Sequence, residues 1–321
     1  MNYQKQFPSK TSLVLLTPEE LDQVTHDRIA ITELIGVGLT GVVYKAEQTS
    51  VGRTVAVKVL SKIEKTAFSD VRERFMLEAK ALGRLNHPNI VRVHDIGETK
   101  NGFPYLVREY VEGIDLACLI RGGQLTLEHV TSWIPQACEA LEYAHNHELV
   151  HRGIKPTNLV IDLEGRVKIT DFGLVKVKSL PDWNYLTQAQ LPPGTRSYFA
   201  PETFVPGATV DHRADVYSMG IVLYEMLTGK LPTGKWVPPS SLRAGLNPRF
   251  DEIVVRALQS EPTHRYPRIA DMGRDVLALG SGGASGGGGG PALQSRKNAL
   301  AQGTSSKRAL SSLRPRTRAD W

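Results

Sequence analysis

The first third of the middle of this chain alternates apolar and polar residues with a period of two; beyond Leu127 the apolar positions recur every three or four. Period two is the signature of half-buried strands and period 3.6 that of amphipathic helices. Val55-Ala56-Val57-Lys58-Val59 is a strand that puts Ala56 and Lys58 on one face, and Tyr105 to Val111 reads as another. Between them Ser69 to Leu85 predicts a helix with an inward stripe at Val71, Phe75, Glu78, Leu82 and Leu85. Glu78 is the odd member, because a carboxylate buried among apolar side chains is costly unless a cation meets it. Leu127 to Asn146 and Ala214 to Leu227 predict longer helices. The pattern implies a small sheet-rich lobe followed by a larger helical one.

Composition divides the 321 residues into three regions. Residues 1–27 are a polar lead-in, with Thr17-Pro18-Glu19-Glu20 placed to cap a short helix. Residues 28–279 carry the periodic pattern. From Gly280 a run of Gly and Ser leads into an Arg-, Ser- and Ala-rich end, and 280–321 is expected to be a linker and a basic disordered tail. The tail holds Arg296, Lys297, Lys307, Arg308, Arg314, Arg316 and Arg318 against Asp320 alone, so it accounts for the whole net charge of +6 and leaves the first 280 residues formally neutral. Residues 296–318 are therefore the candidate for a polyanion contact. No apolar run reaches the roughly 20 residues that span a bilayer, and the N-terminus lacks a signal-peptide core, so a cytoplasmic protein is expected. Cys118 and Cys138 have no metal-ligand spacing and are expected to be reduced, packed thiols.

Gly36-Val37-Gly38-Leu39-Thr40-Gly41 is a glycine pattern of the kind that lets backbone N–H groups approach phosphate oxygens. Taken alone it also fits a dinucleotide-binding turn, but Val42 to Ala46 continues as a strand where that fold requires a helix. Lys58 follows Gly41 by seventeen residues and Glu78 follows Lys58 by twenty. Further on, His151-Arg152-Gly153-Ile154-Lys155-Pro156-Thr157-Asn158 precedes a hairpin, Leu159-Val160-Ile161 and Val167-Lys168-Ile169 around Glu164-Gly165, and then Asp171-Phe172-Gly173. A hairpin joins its ends, so Asn158 and Asp171 should converge, and two oxygen ligands suit Mg²⁺.

With these motifs in this order, residues 28–279 resemble a serine/threonine protein kinase of the bacterial, eukaryotic-like type. The resemblance implies an α+β, bilobal fold, with a β-rich N-lobe over about 28–110 and a mainly helical C-lobe over about 111–279. It implies ATP and Mg²⁺ as cofactors. Gly36, Gly38, Gly41, Val43, Ala56, Val111, Asp115 and Val160 would surround the nucleotide, with Glu109 in the segment that receives adenine. Lys58, paired to Glu78, would hold the α- and β-phosphates, Asn158 and Asp171 the metal, and Lys155 the transferring phosphate. Gly194-Thr195, Ala200-Pro201-Glu202, Asp215 and an Arg265–Glu202 pair match the family's structural clamps.

Two residues depart from the pattern. Gly153 stands where the family carries its catalytic aspartate, and losing a general base costs about 10²–10⁴ in rate. Arg108 stands at the back of the adenine pocket, where its permanent charge would seek a carboxylate, Glu78 or Asp171. Ser179, Tyr185 and Thr187 are hydroxyls whose phosphates Arg152 could pair with. Three functions are open: a pseudokinase-like ATP-binding scaffold or regulator with severely impaired phosphotransfer and a protein partner, a working kinase that tolerates Gly153, or a polyanion binder acting through its tail.

Overall fold

The computed structural model describes residues 28–37, 41–60, 68–99, 102–172, 193–232, 234 and 236–280. The lead-in, Gly38, Gly173, Ser179, Tyr185, Thr187 and the tail lie outside the described residues, as do the side chains of Val71 and Glu78. The chain divides into two compact units. One contains residues 28–86 and 91–110, the other residues 87–90 and most of the chain from Val111 onward.

The first unit is a five-stranded antiparallel sheet, β1 (Ile29–Val37), β2 (Gly41–Gln48), β3 (Arg53–Leu60), β4 (Val93–Glu98) and β5 (Pro104–Glu109), in the order β1-β2-β3-β5-β4. Alternation sets its two faces. Val55, Val57 and Val59 of β3 join Val42, Tyr44, Ala46 and Val107 in one core. Leu60 and Leu106, on the opposite face, meet Phe75 and Ala79 of α1 (Phe68–Leu82) in another. A β-branched side chain buried this completely contributes about 1.5–3 kcal/mol. The sequence predicts α1 to run on to Leu85. Instead it ends before Gly83, a poor helix former, and two turn hydrogen bonds carry the chain onward from Ala81 and Leu82. Leu85 is nevertheless buried. β5 stops at Glu109, short of the expected Val111.

The second unit holds a three-stranded sheet, β6 (Gly113–Asp115), β7 (Leu159–Asp162) and β8 (Val167–Ile169). Its helices are α2 (Leu116–Arg121), α3 (Leu127–Asn146), α4 (Pro193–Arg196), α5 (Arg213–Thr228), α6 (Pro239–Leu242), α7 (Arg249–Ala257) and α8 (Ile269–Gly280). Thr126 caps α3 with His129 in a reciprocal box. α5 is apolar nearly all round and buried, as a helix at the centre of a core must be; it ends at Gly229, whose φ of 71° suits glycine above any other residue. Cys138 is buried and its thiol is pushed up by that burial. Cys118 corrects the expectation of two packed thiols: α2 turns Leu116, Leu119 and Ile120 inward, leaving Cys118 exposed. Both cysteines are free. Among the described residues no helix is long and apolar enough to cross a membrane.

Candidate functional site

In the first unit the antiparallel register gathers the expected residues on one sheet face. Val43 lies opposite Lys58, and Lys58 opposite Leu106; Lys45 lies opposite Ala56, and Ala56 opposite Arg108. Residues directly opposite share a face, so Gly41, Val43, Ala56, Lys58 and Arg108 line up together. Lys58 is buried, at 9% exposure, and Arg108 is half-buried. The same face carries Leu60 and Leu106, against which α1 lays Phe75 and Ala79. Glu78 precedes Ala79 on that helix. Glu109 closes β5, its N–H donating to the Arg92 carbonyl at 2.8 Å while its carboxylate accepts from the Arg92 N–H.

The two described glycines of the loop differ. A Cβ on Gly41 would lie 2.2 Å from the Val59 carbonyl oxygen, so β2 approaches β3 only because that position is bare. A Cβ on Gly36 would meet nothing nearer than the Val43 side chain at 3.7 Å, an ordinary contact. Strand packing therefore demands glycine at 41 and leaves 36 unconstrained.

In the second unit Asp115 pairs with Val160 across β6 and β7, placing both on one face. Asp115 also caps α2, accepting the Cys118 N–H at 2.8 Å, while the Cys118 thiol donates to its second oxygen at 3.3 Å. Val111 precedes β6 and is half-buried.

The backbone of the loop from His151 to Asn158 is fixed by buried polar groups, while its Ile154 and Pro156 side chains are buried as well. Asp215, with no solvent exposure, accepts from the backbone N–H groups of His151 (2.8 Å) and Arg152 (2.7 Å) and from Nε2 of His145 (2.7 Å). Burial alone would raise its carboxyl. The hydrogen bond and charge of His145, with the His151 contacts, hold it below the usual range. The clamp keeps Arg152 at a φ of 55°, left-handed and unfavourable for a long side chain. Nδ1 of His151 accepts from the Gly153 N–H at 3.2 Å, so Nε2 carries the proton and donates to the Thr170 carbonyl at 3.1 Å. Burial keeps this imidazole neutral by lowering its pKa. On the other side of Gly153, the Asn158 amide donates to its carbonyl at 2.8 Å. Gly153 is thus gripped through both backbone groups, lies outside the left-handed region, and presents no side chain.

The hairpin joins its ends as expected. Leu159 pairs with Ile169, and the Thr170 N–H donates to the Asn158 carbonyl at 2.9 Å, bringing Asn158 beside the residue that precedes Asp171. Asp171 has a φ of 51°. Asn158 commits its amide N–H to Gly153, so the side-chain oxygen is what remains to offer a cation, and Asp171 offers a carboxylate. Two hard oxygen donors suit Mg²⁺. Among the described residues no cluster of three or more His, Cys, Asp or Glu side chains forms a metal site, so most ligands of such an ion would come from phosphates and water. Lys155 immediately precedes the 3₁₀ turn Pro156–Asn158.

Of the expected clamps, Arg265 is buried and makes two 2.7 Å bonds to the Glu202 carboxylate. His145 is the organising residue that the sequence reading missed. Its signal was of the same kind as that of Glu78, a polar residue among the apolar positions of a helix. Tyr198, donating to Glu225 at 2.6 Å, was missed as well, because a loop tyrosine and a helical glutamate 27 residues apart carry no shared pattern.

The family model "protein kinase domain" matches residues 29–268. The serine/threonine-protein kinase PknB of Mycolicibacterium smegmatis is 37% identical over 287 residues, covering 84% of this chain and 45% of that protein. PknB of Mycobacterium tuberculosis is 35% identical over 286 residues with the same coverage. The chain thus spans just under half the length of these curated relatives. The crystal structure of a single-site mutant of the Mycobacterium tuberculosis PknI kinase domain superposes with a TM-score of 0.63 at 28% identity, covering 79% of this chain and 96% of that one. A β-sheet unit followed by a mainly helical unit, with this run of motifs and these relatives, makes the chain a member of the protein kinase domain family, on its bacterial serine/threonine side.

Proposed function

We propose that this protein binds ATP and Mg²⁺ but transfers phosphate poorly, and acts in signalling as a scaffold or allosteric regulator toward a protein partner. One observation carries the reading: the loop around Gly153 keeps its buried supports, Asp215, His151 and Asn158, while the carboxylate that would orient a substrate hydroxyl is missing.

In this reading Lys58 holds nucleotide phosphates, Gly36, Gly41, Val43, Ala56, Glu109, Val111, Asp115 and Val160 surround the nucleotide, and Asn158 and Asp171 hold the ion, which screens phosphate charge when bound. Glu78, as the partner of Lys58, and Lys155, toward the transferring phosphate, complete the set. Positioning and electrostatics supply much of phosphoryl-transfer catalysis, so a residual rate is expected.

Transfer from radiolabelled ATP to a generic protein substrate, by the wild type and by Gly153→Asp, tests this. The backbone at 153 lies outside the left-handed region, so an aspartate meets no left-handed penalty there. The expected gain is about 10²–10⁴-fold. A fast wild type that Gly153→Asp barely improves would sink the proposal in favour of an active kinase.

A further inference from the structure

Away from these residues, α3 and α8 border a groove of about 490 Å³, lined by Pro135, Glu139, Glu142 and Tyr143 on one side and by Gly273 and Leu277 on the other. That volume falls in the range of about 300–1,000 Å³ of ligand-sized sites. The helices are close because Gly273 is bare: a Cβ there would sit 2.8 Å from that of Cys138. His87, its ring centre 5.1 Å from that of Tyr143, closes one end. The walls are mostly apolar, and Leu277 is 48% exposed. The rim is acidic on the α3 side, with Glu139 exposed and Glu142 already bridged to Arg268 at 2.6 Å. Arg274, the cation lining the α8 side, is paired with Asp271.

We infer that this groove is a docking site for residues 291–301 of the same chain. The groove runs beside the helix from which that segment departs. α8 ends at Gly280, and residues 281–290, all Gly, Ser or Ala, lead to Pro291. Ten residues of that composition reach roughly 18 Å, whereas the stretch of α8 from Leu277 back to Ala270 measures only about 10 Å. So short a tether gives a local concentration of about millimolar order, enough for a weak contact to be populated. The segment's chemistry is complementary to the groove: Leu293 and Leu300 bracket Arg296 and Lys297, apolar groups for the walls and cations for Glu139 on the rim. The first 280 residues are neutral as a whole, and the positive excess lies in the part of the sequence that holds this segment.

Hydrogen exchange on the full chain tests the inference, comparing wild type, Glu139→Lys, Arg296→Glu/Lys297→Glu, and the three changes combined. Glu139 is exposed, so its reversal leaves folding intact, which a thermal melt verifies. Exchange in residues 270–280 is expected to quicken about 2- to 5-fold in each charge-reversed protein, the range of one or two exposed ion pairs, and to return to the wild-type rate in the combined variant. It should not change on tenfold dilution. Unaltered exchange in the reversed proteins overturns the inference, as does a combined variant that stays fast. Protection lost on dilution also overturns it, by making the occupant a second copy.

Discussion

Two stretches of this molecule, one in each unit and each proposed to contact nucleotide, are built by contrasting means. The glycine-bearing strands β1 to β3 are positioned by valines, register and one close backbone approach at Gly41. The loop from His151 to Asn158 has no strand partner of its own and is positioned by a buried carboxylate, two histidines and an amide. Apolar packing is spread over many small contacts, so no single side chain decides it. A buried polar network concentrates the cost of failure on a few atoms. The loop around Gly153 is therefore also the one in which a single change should do most damage.

The contrast breaks most visibly at Asp215. Asp215→Ala strands two backbone N–H groups and His145 in a place without solvent. Removing one partner of a buried charged pair costs about 3–5 kcal/mol, and the left-handed Arg152 loses the restraint that holds it. Urea unfolding followed by circular dichroism should show a loss of this size. A change under about 1 kcal/mol, the scale of an exposed pair, would mean that the loop is held by something else.

The glycine strands offer a smaller and sharper comparison. Gly41→Ala drives a methyl into the Val59 carbonyl, and forced overpacking costs about 1–3 kcal/mol. Gly36→Ala meets only ordinary contact, so its stability should stay within about 0.5 kcal/mol of wild type. If Gly36 is bare for the sake of phosphate approach, this variant should instead lose ATP/Mg²⁺ affinity in calorimetric titration. Equal destabilisation by the two changes would show that both glycines serve the strands alone.

The same contrast explains what the sequence made legible. Period-two alternation revealed the faces of β3, and with them the company of Lys58 and Ala56, because register transmits a local pattern across a sheet. Leu127–Asn146 was found to the residue, since Thr126 and the apolar stripe mark both the start and the face of α3. The end of α1 was misplaced because the apolar stripe runs past Gly83, which stops the helix: Leu85 is buried, as its place in the stripe suggested, but not helical. Among the loop's supports, Asp215 and the hairpin were visible through motifs and resemblance. His145 and the tautomer of His151 were not, because they depend on which polar atoms a fold brings within hydrogen-bond reach across long stretches of chain, as Asp215 is brought to both histidines. Cys118 failed for a related reason: its exposure depends on which side of a six-residue helix faces the core.

The smallest effect concerns protons, and it separates the two kinds of buried polar group. His87, His94, His129 and His151 all have lowered pKa values, with burial the largest cause in each. The unfolded chain takes up protons at these groups near about pH 6.5, while the folded chain does so only at lower pH. Below about pH 6.5 the unfolded state thus binds more protons, and stability falls as pH falls. Asp215 behaves differently: its carboxyl is depressed, so its contribution is intact above about pH 3.9 and is lost only in stronger acid. Between about pH 7.5 and 5.5 the urea midpoint should therefore decline through the histidines, against the opposing contribution of Glu225, whose carboxyl burial raises. His151→Phe keeps a ring against Phe172, which lies 4.6 Å away, but removes the one fully buried imidazole of the four. The variant should be less stable at about pH 7.5, having lost two hydrogen bonds, yet its decline should be shallower, by at most about 1.4 kcal/mol per pH unit. A decline as steep as that of the wild type would mean that His151 is protonated in the folded loop, and that Gly153 N–H has no acceptor in its ring.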